Sequence, residues 1–223
     1  MTNGNLAQVR AFVFDLDGTL IDSKMDLVHA VNAMLRATGR PEQGKERVAS
    51  YIGHGAPQLI ASVLGAPSTE EQRREALAVF LTEYEKRMLE LTRAYPAVEE
   101  GLRALDGFPM AVLTNKPLRM AVEILQGLAL AEFFDAVYGG DSFEKKKPDP
   151  TGALTILKEF GVAPEEAAMV GDSDVDVQTA RNAGMQAVGV KYGFGVHDPQ
   201  VYPADVYVDR LTELRSLASN KSA

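Results

Sequence analysis

An α/β fold is expected here: a Rossmann-like parallel sheet with helices on both faces, interrupted by a helical insert. Three features of the chain lead to it. Short apolar runs recur at Arg10–Phe14, Met110–Leu113, Ala136–Tyr138, Ala167–Val170, Gln186–Val190 and Val206–Val208. From residue 117 onward, helix-like segments alternate with them, which is the pattern of parallel strands joined by crossover helices. Between Asp22 and about Arg93 no convincing strand occurs, only helical periodicity broken by Gly and Pro.

Arg10–Phe14 reads as a short buried strand ending at Asp15, with Asp17-Gly18-Thr19 as a turn. Met25–Ala37 reads as a helix, with Leu27, Val28, Val31, Met34 and Leu35 at helical spacing. Glu70–Leu91 reads as a long amphipathic helix, with a stripe of Leu77, Phe80, Leu81, Tyr84 and Met88 expected to serve packing. After Tyr95-Pro96 the helices expected between the apolar runs are Pro117–Gly127, Pro150–Phe160 and Val175–Ala183. The domain boundaries then fall near residues 22 and 94: a core of residues 1–21 and 94–223, and a helical unit of residues 22–93.

The chain has 223 residues, 46% hydrophobic and 24% charged, enough for a buried core. Net charge is −8, which disfavours nucleic acid as a partner. No apolar run approaches the ~20 residues of a membrane span. The first residues lack the basic and apolar regions of a signal peptide. Cysteine is absent, which excludes disulfides and thiolate metal sites and fits a reducing cytoplasm. The tail Ser219-Asn220-Lys221-Ser222-Ala223 is small and polar and is expected to fray.

In open parallel sheets, ligands bind beyond the C-terminal ends of the strands. The polar residues that follow the apolar runs should therefore converge: Asp15 and Asp17, Thr114 and Asn115, and Asp172, Asp174 and Asp176, with Lys147 from a loop. Paired carboxylates at one strand tip repel each other unless a cation sits between them, and they suit a division between nucleophile and general acid. With no His or Cys nearby the donor set is all oxygen, which favours Mg²⁺ over Zn²⁺. Thr114 and Lys147 supply a hydroxyl donor and a positive charge for phosphate oxygens, which is what phosphoryl transfer asks of a protein.

Four segments carry a more specific likeness. Val13-Phe14-Asp15-Leu16-Asp17-Gly18-Thr19-Leu20, Leu113-Thr114-Asn115-Lys116, Lys147-Pro148-Asp149-Pro150 and Gly171-Asp172-Ser173-Asp174-Val175-Asp176 resemble, in order, the four motifs of the haloacid dehalogenase superfamily. The resemblance implies Asp15 as nucleophile and Asp17 as general acid, then base. It implies Thr114 and Lys147 as holders of the phosphoryl group, with Asn115 beside them at the substrate. Mg²⁺ would be held by Asp15, the Asp17 backbone carbonyl and Asp172. Asp176 would act through water or a hydrogen bond, and Asp174 would stand outside the metal's immediate ligands.

An insert between the first two motifs is similar to the helical cap of the phosphoglycolate phosphatase-like branch. Tyr51-Ile52-Gly53-His54-Gly55-Ala56, Tyr95-Pro96 and the Ala204–Leu214 region add to that likeness, and Lys24 departs from the small residue expected after Asp22-Ser23. The expectation is a cytoplasmic Mg²⁺-dependent phosphatase of small phosphorylated metabolites, monomeric or homodimeric, with phosphoglycolate as the favoured substrate. Inorganic pyrophosphatase and phosphosugar mutase are the alternatives within the fold, and a non-catalytic binding module the alternative outside it. His54 is weighed evenly between a substrate contact from the cap and a solvent-facing residue. Gly53-His54-Gly55 and Gly193-Phe194-Gly195 fail as dinucleotide fingerprints. His29, Lys145 and Lys146 are expected on the surface without chemistry.

Overall fold

The computed structural model describes residues 6–194 and 200–218. The tail expected to fray lies outside the described residues, as does Gly195. The first strand, β1 (Ala11–Phe14), is buried along its whole length. A two-residue strand, β2 (Ile21–Asp22), leads into four helices: α1 (Lys24–Ala37), α2 (Lys45–Ala49), α3 (Ala56–Leu64) and α4 (Glu70–Glu85). A second short strand, β3 (Arg93–Ala94), returns the chain. Helices and strands then alternate as far as β7: α5 (Val98–Ala104), β4 (Met110–Leu113), α6 (Leu118–Gly127), β5 (Ala136–Tyr138), α7 (Thr151–Phe160), β6 (Ala167–Gly171), α8 (Asp174–Ala183) and β7 (Gln186–Val190), after which come β8 (Val206–Val208) and α9 (Glu213–Ala218).

Six strands form one parallel sheet in the order β5-β4-β1-β6-β7-β8. Successive side chains of a strand point to opposite faces, so the sheet has two cores. Phe12, Phe14, Val112 and Val170 face Leu102 of α5, Ile124 of α6 and Leu214 of α9. Ala11, Val13, Leu113 and Met169 face Ile156 of α7 and Val177 of α8. Burial on both faces explains why the strands read as continuous apolar runs rather than as alternating ones. The chain leaves β1 toward β4 on one side and reaches β6 on the other, which places the crevice of the sheet at the C-terminal end of β1.

The strands expected from sequence are found within a residue or so of their expected ends, and β4, β5, β7 and β8 match them. The insert departs from its expected helices in one place. The helix expected over Glu70–Leu91 stops at Glu85 and continues as turns. Its start is well specified by a capping box between Thr69 and Gln72. Beyond its end, the chain is held by a residue far away in sequence. The Asp26 carboxylate, on α1, accepts hydrogen bonds from the Leu91 and Thr92 backbone N–H groups at 3.0 and 2.8 Å, and from the Thr92 hydroxyl at 2.7 Å. Those amides are therefore not available to carbonyls one turn back, so helix does not resume there; the change itself comes earlier, where the Arg87 and Glu90 amides already bond three residues back, to the Tyr84 and Arg87 carbonyls. The short helices α2, α3, α5 and α9 are further elements that periodicity did not single out.

Strands β2 and β3 pair antiparallel, Ile21 with Ala94 and Asp22 with Arg93, so the two ends of the helical stretch run side by side. Within it α1 and α3 both pack on α4. Among the described residues no helix is long and apolar enough to cross a membrane.

Asp26 and Thr92 are fully buried, so removing the carboxylate strands backbone donors without water. Asp26→Ala is expected to cost about 2–4 kcal/mol of stability. Urea denaturation measures it, and a loss under half a kcal/mol would show that the junction tolerates free amides.

Candidate active site

Register alone gathers the candidate residues. Phe14 pairs with Val112 on one side and with Val170 on the other. Asp15 follows Phe14 directly, and Thr114 and Asp172 stand two residues beyond Val112 and Val170, so all three leave the sheet at the same end, at the crevice. The Asp15 amide still belongs to the sheet, donating to the Val170 carbonyl at 2.9 Å. Lys147 enters from the loop between β5 and α7. Its ammonium lies 2.8 Å from Asp15 Oδ1 and 2.7 Å from Asp176 Oδ1. Asn115 braces that loop: its amide nitrogen donates to the Lys147 carbonyl and to the Gly53 carbonyl, both at 3.1 Å. Asp176 is fixed by a capping box at the start of α8, where its Oδ2 accepts from the Ser173 amide and hydroxyl. Thr114 is not the cap of α6, since Pro117 holds that position. Its oxygen accepts from the Lys116 amide at 3.2 Å.

Carboxylate oxygens of Asp15, Asp172 and Asp176 lie within 4.8 Å of one another, and all three residues are buried. Three negative groups face one ammonium. Burial, and the nearness of the other carboxylates, push Asp15 up to about 6 against the pull of Lys147. Burial and repulsion from Asp176 and Asp15 push Asp172 up to about 8. Such a cluster is short of positive charge, and a hard divalent cation among oxygen donors supplies it. Gly18 leaves room there: with φ of 87°, any added Cβ would lie 2.3 Å from Asp172 Oδ2. The residues present thus fit a metal.

Asp17 belongs to a second cluster. Its Oδ1 accepts from the Ser23 hydroxyl at 2.5 Å, and its two oxygens take the Lys116 ammonium at 2.6 and 2.8 Å. Lys116 also lies 4.7 Å from the centre of the Tyr84 ring, which α4 brings down from the helical insert. Burial alone would lower the Lys116 ammonium's pKa, but Asp17 and Tyr84 outweigh it and raise it. A pocket of about 50 Å³ opens between these two clusters and the insert. One water needs ~10–15 Å³ by the same measure, so the space suits a small ligand. Asp15, Asp17, Thr114, Asn115 and Lys116 line one side, and Leu27, Ile52, Leu59, Phe80, Leu81, Tyr84 and Met120 are among the rest.

A family model described as haloacid dehalogenase-like hydrolase matches residues 12–190. The chain belongs to that family. It is similar to the phosphoglycolate phosphatase of Chromobacterium violaceum, at 38% identity over 97% of this chain and 99% of that one. The phosphoglycolate phosphatase of Nitrosospira multiformis is 39% identical over 96% of this chain and 97% of its own. A crystal structure of a predicted phosphoglycolate phosphatase from Haemophilus somnus superposes with a TM-score of 0.88 at 30% identity, covering 94% of this chain and 98% of that one.

Within this haloacid dehalogenase-like hydrolase, the structure brings Asp15, Asp17, Thr114, Asn115, Lys147 and Asp172 to one crevice, as their strand-end positions suggested. Asp176 sits closer than expected, with an oxygen inside the carboxylate cluster as well as its bond to Lys147. Asp174 faces Gln178 instead. His54 is exposed and does not line the pocket, although the turn that carries it does, through Gly53 and Gly55. Lys24 lies 5.1 Å from the centre of the Phe194 ring. His29, Lys145 and Lys146 are exposed. The α4 stripe serves packing and more, since Phe80, Leu81 and Tyr84 also form pocket wall. Lys116 and Tyr84 are the residues that sequence reasoning passed over. Lys116 stood in a quoted motif, but a lysine does not announce its partner.

The raised carboxylates give the cluster a testable signature. Without metal, the folded protein keeps protons on Asp15 and Asp172 that the unfolded chain releases near their ordinary value of 3.8. This contribution to stability therefore falls as pH rises from there to about 8. A bound divalent cation replaces those protons, so its stabilising effect grows with pH over that range. Thermal melts with metal and with chelator should show a larger metal-induced rise in Tm at about pH 8 than at about pH 6. Asp172→Asn should raise the metal-free Tm at the higher pH and shrink the metal effect. Equal metal-induced rises at both pH values would place the cation elsewhere.

Proposed function

We propose that this chain is a Mg²⁺-dependent phosphoglycolate phosphatase of the cytoplasm, acting through a phosphoaspartyl intermediate on Asp15. The observation that carries the chemistry is the buried cluster of Asp15, Asp172 and Asp176 around Lys147 at the crevice of the sheet. The substrate reading draws on relatives named phosphoglycolate phosphatase that align along nearly the whole chain. It also suits a small pocket whose far wall is apolar. A sugar phosphate would leave buried hydroxyls unpaired there, which argues against a mutase.

Asp15, the Asp17 carbonyl and Asp172 would hold Mg²⁺, with Asp176 beside them. When bound, the ion offsets the charge that three carboxylates and a phosphate dianion bring together. Lys147 and the Thr114 hydroxyl hold the phosphoryl oxygens. Asp15 attacks phosphorus in line while Asp17 protonates the departing glycolate oxygen. Asp17 then takes a proton from the water that attacks the aspartyl phosphate, which releases inorganic phosphate and restores Asp15. Residues 1–21 and 94–223 form the core in this reading, and residues 22–93 a cap that moves on the β2–β3 ribbon to exclude water.

Asp15→Asn, which keeps size but removes the attacking anion, is expected to cut turnover by about a thousandfold or more with the fold intact. Retained turnover would refute the phosphoaspartyl route. Asp17→Asn should harm phosphoglycolate hydrolysis far more than that of p-nitrophenyl phosphate, whose leaving group departs unprotonated. Equal losses on the two esters would remove Asp17 from the acid role.

A further inference from the structure

The pocket contains one feature that phosphoryl transfer does not use. Among the described residues that line it, Lys116 is the only cationic side chain. No Lys, Arg or His of the helical insert reaches it. Lys116 is buried, and Tyr84 is buried beside it. Among the described residues the Tyr84 hydroxyl finds no acceptor for its proton, and the polar group beside its oxygen is the Lys116 ammonium. A neighbouring ammonium only donates, so the phenolic proton remains unspent. Burying a phenol hydroxyl with no acceptor costs free energy, which an incoming acceptor recovers. Burial raises the Tyr84 phenol to about 12, so it remains a donor at neutral pH.

The surroundings define what that acceptor is. Leu27, Ile52, Leu59, Phe80, Leu81 and Met120 offer no hydrogen bond, so they suit a methylene and nothing more polar. Lys116 lies on Asp17, two residues from Asp15, so its ammonium is a short reach from the attacking carboxylate. A ligand spanning both ends is a phosphate ester whose second anionic group follows within a carbon or so of the ester oxygen. A planar carboxylate, with two oxygens, accepts from an ammonium and a phenol together.

We infer that Lys116 and Tyr84 are the specificity-determining pair of this enzyme, binding the carboxylate of a short phosphorylated acid. This rests on the phosphoglycolate reading above and assigns it residues. On substrate entry the Lys116 ammonium passes from Asp17 to the substrate carboxylate, and the Asp17 oxygens are freed to turn toward the ester oxygen. Tyr84 belongs to the insert and Lys116 to the core, so a carboxylate between them also favours the closed arrangement. The His54 side chain, exposed above the turn, has no part in this contact.

The test compares phosphoglycolate with 2-hydroxyethyl phosphate, which has the same length but a neutral end, under saturating Mg²⁺. Wild-type protein is expected to prefer phosphoglycolate in kcat/KM. Lys116→Met should lower that preference by about 10- to 100-fold, the value of a hydrogen bond to a charged group. Tyr84→Phe should lower it by about 3- to 10-fold, mainly through KM for phosphoglycolate. Lys116→Arg should keep most of it. Losses of equal size on both substrates, with the preference intact, would overturn the assignment: Lys116 would then only neutralise Asp17, and Tyr84 would only pack. A wild-type enzyme with no preference would overturn the phosphoglycolate reading itself, and this pair with it. Tyr84→Phe deletes a single hydroxyl whose proton has no acceptor among the described residues, so it gives the same readout even where Lys116→Met fails to fold.

Discussion

Three carboxylates buried around one ammonium are the constraint on which much of this structure turns. Asp15, Asp172 and Asp176 cannot all be ionised in a dry crevice without more positive charge than Lys147 brings. The fold supplies what it can from the backbone. The Phe194 amide donates to Asp172 at 2.8 Å, and the Ser173 amide and hydroxyl hold Asp176. Even so, Asp172 is pushed up to about 8. That residual cost is tolerable in a site that suits a cation and a phosphate, because such ligands bring interactions that the side chains alone do not supply.

A parallel sheet is a rigid support for such a cluster. The side chains concerned leave adjacent strand ends, and the strands are locked in register over two apolar faces. The helical insert has a looser task. It meets the core at the β2–β3 ribbon and through the Asn115 bond to the Gly53 carbonyl, and it lines the crevice with apolar side chains. Its one polar contribution to the proposed substrate contact is the Tyr84 hydroxyl. Asn115 links the two parts, holding the Lys147 loop on one side and the Gly53 turn on the other. With φ near 86°, Gly55 brings that turn so close that an added Cβ would lie 3.1 Å from the Asn115 carbonyl. Gly55 therefore matters for close approach, Gly53 only for its backbone angle, with φ of 118°, and His54 between them is exposed.

Much of this was legible in the chain. A strand buried on both faces must be apolar throughout, and six such runs stood out from the helical segments between them. Asp15, Thr114 and Asp172 were legible for the same reason, since a polar residue directly after such a run can only lie at the sheet's edge. The turns after α4 were not legible, since the chain that follows them is held by Asp26, which is remote in sequence. The apolar stripe of α4 was legible as buried surface, but not as pocket wall, since periodicity reports which face is covered and not by what.

Lys116 marks the division between what sequence determined and what tertiary structure decided. Its residue type and its place after Thr114-Asn115 were plain, as were the strands, the crossover helices and the acidic strand ends. All of these follow from local pattern: apolar period, turn chemistry and the position of a polar residue relative to a strand. The pairing of Lys116 with Asp17, the stacking of Tyr84 on it, and the orphaned hydroxyl left between them depend on how the insert closes on the core. Those contacts join residues dozens of positions apart, and a long flexible side chain takes its partner from the cavity in which packing leaves it.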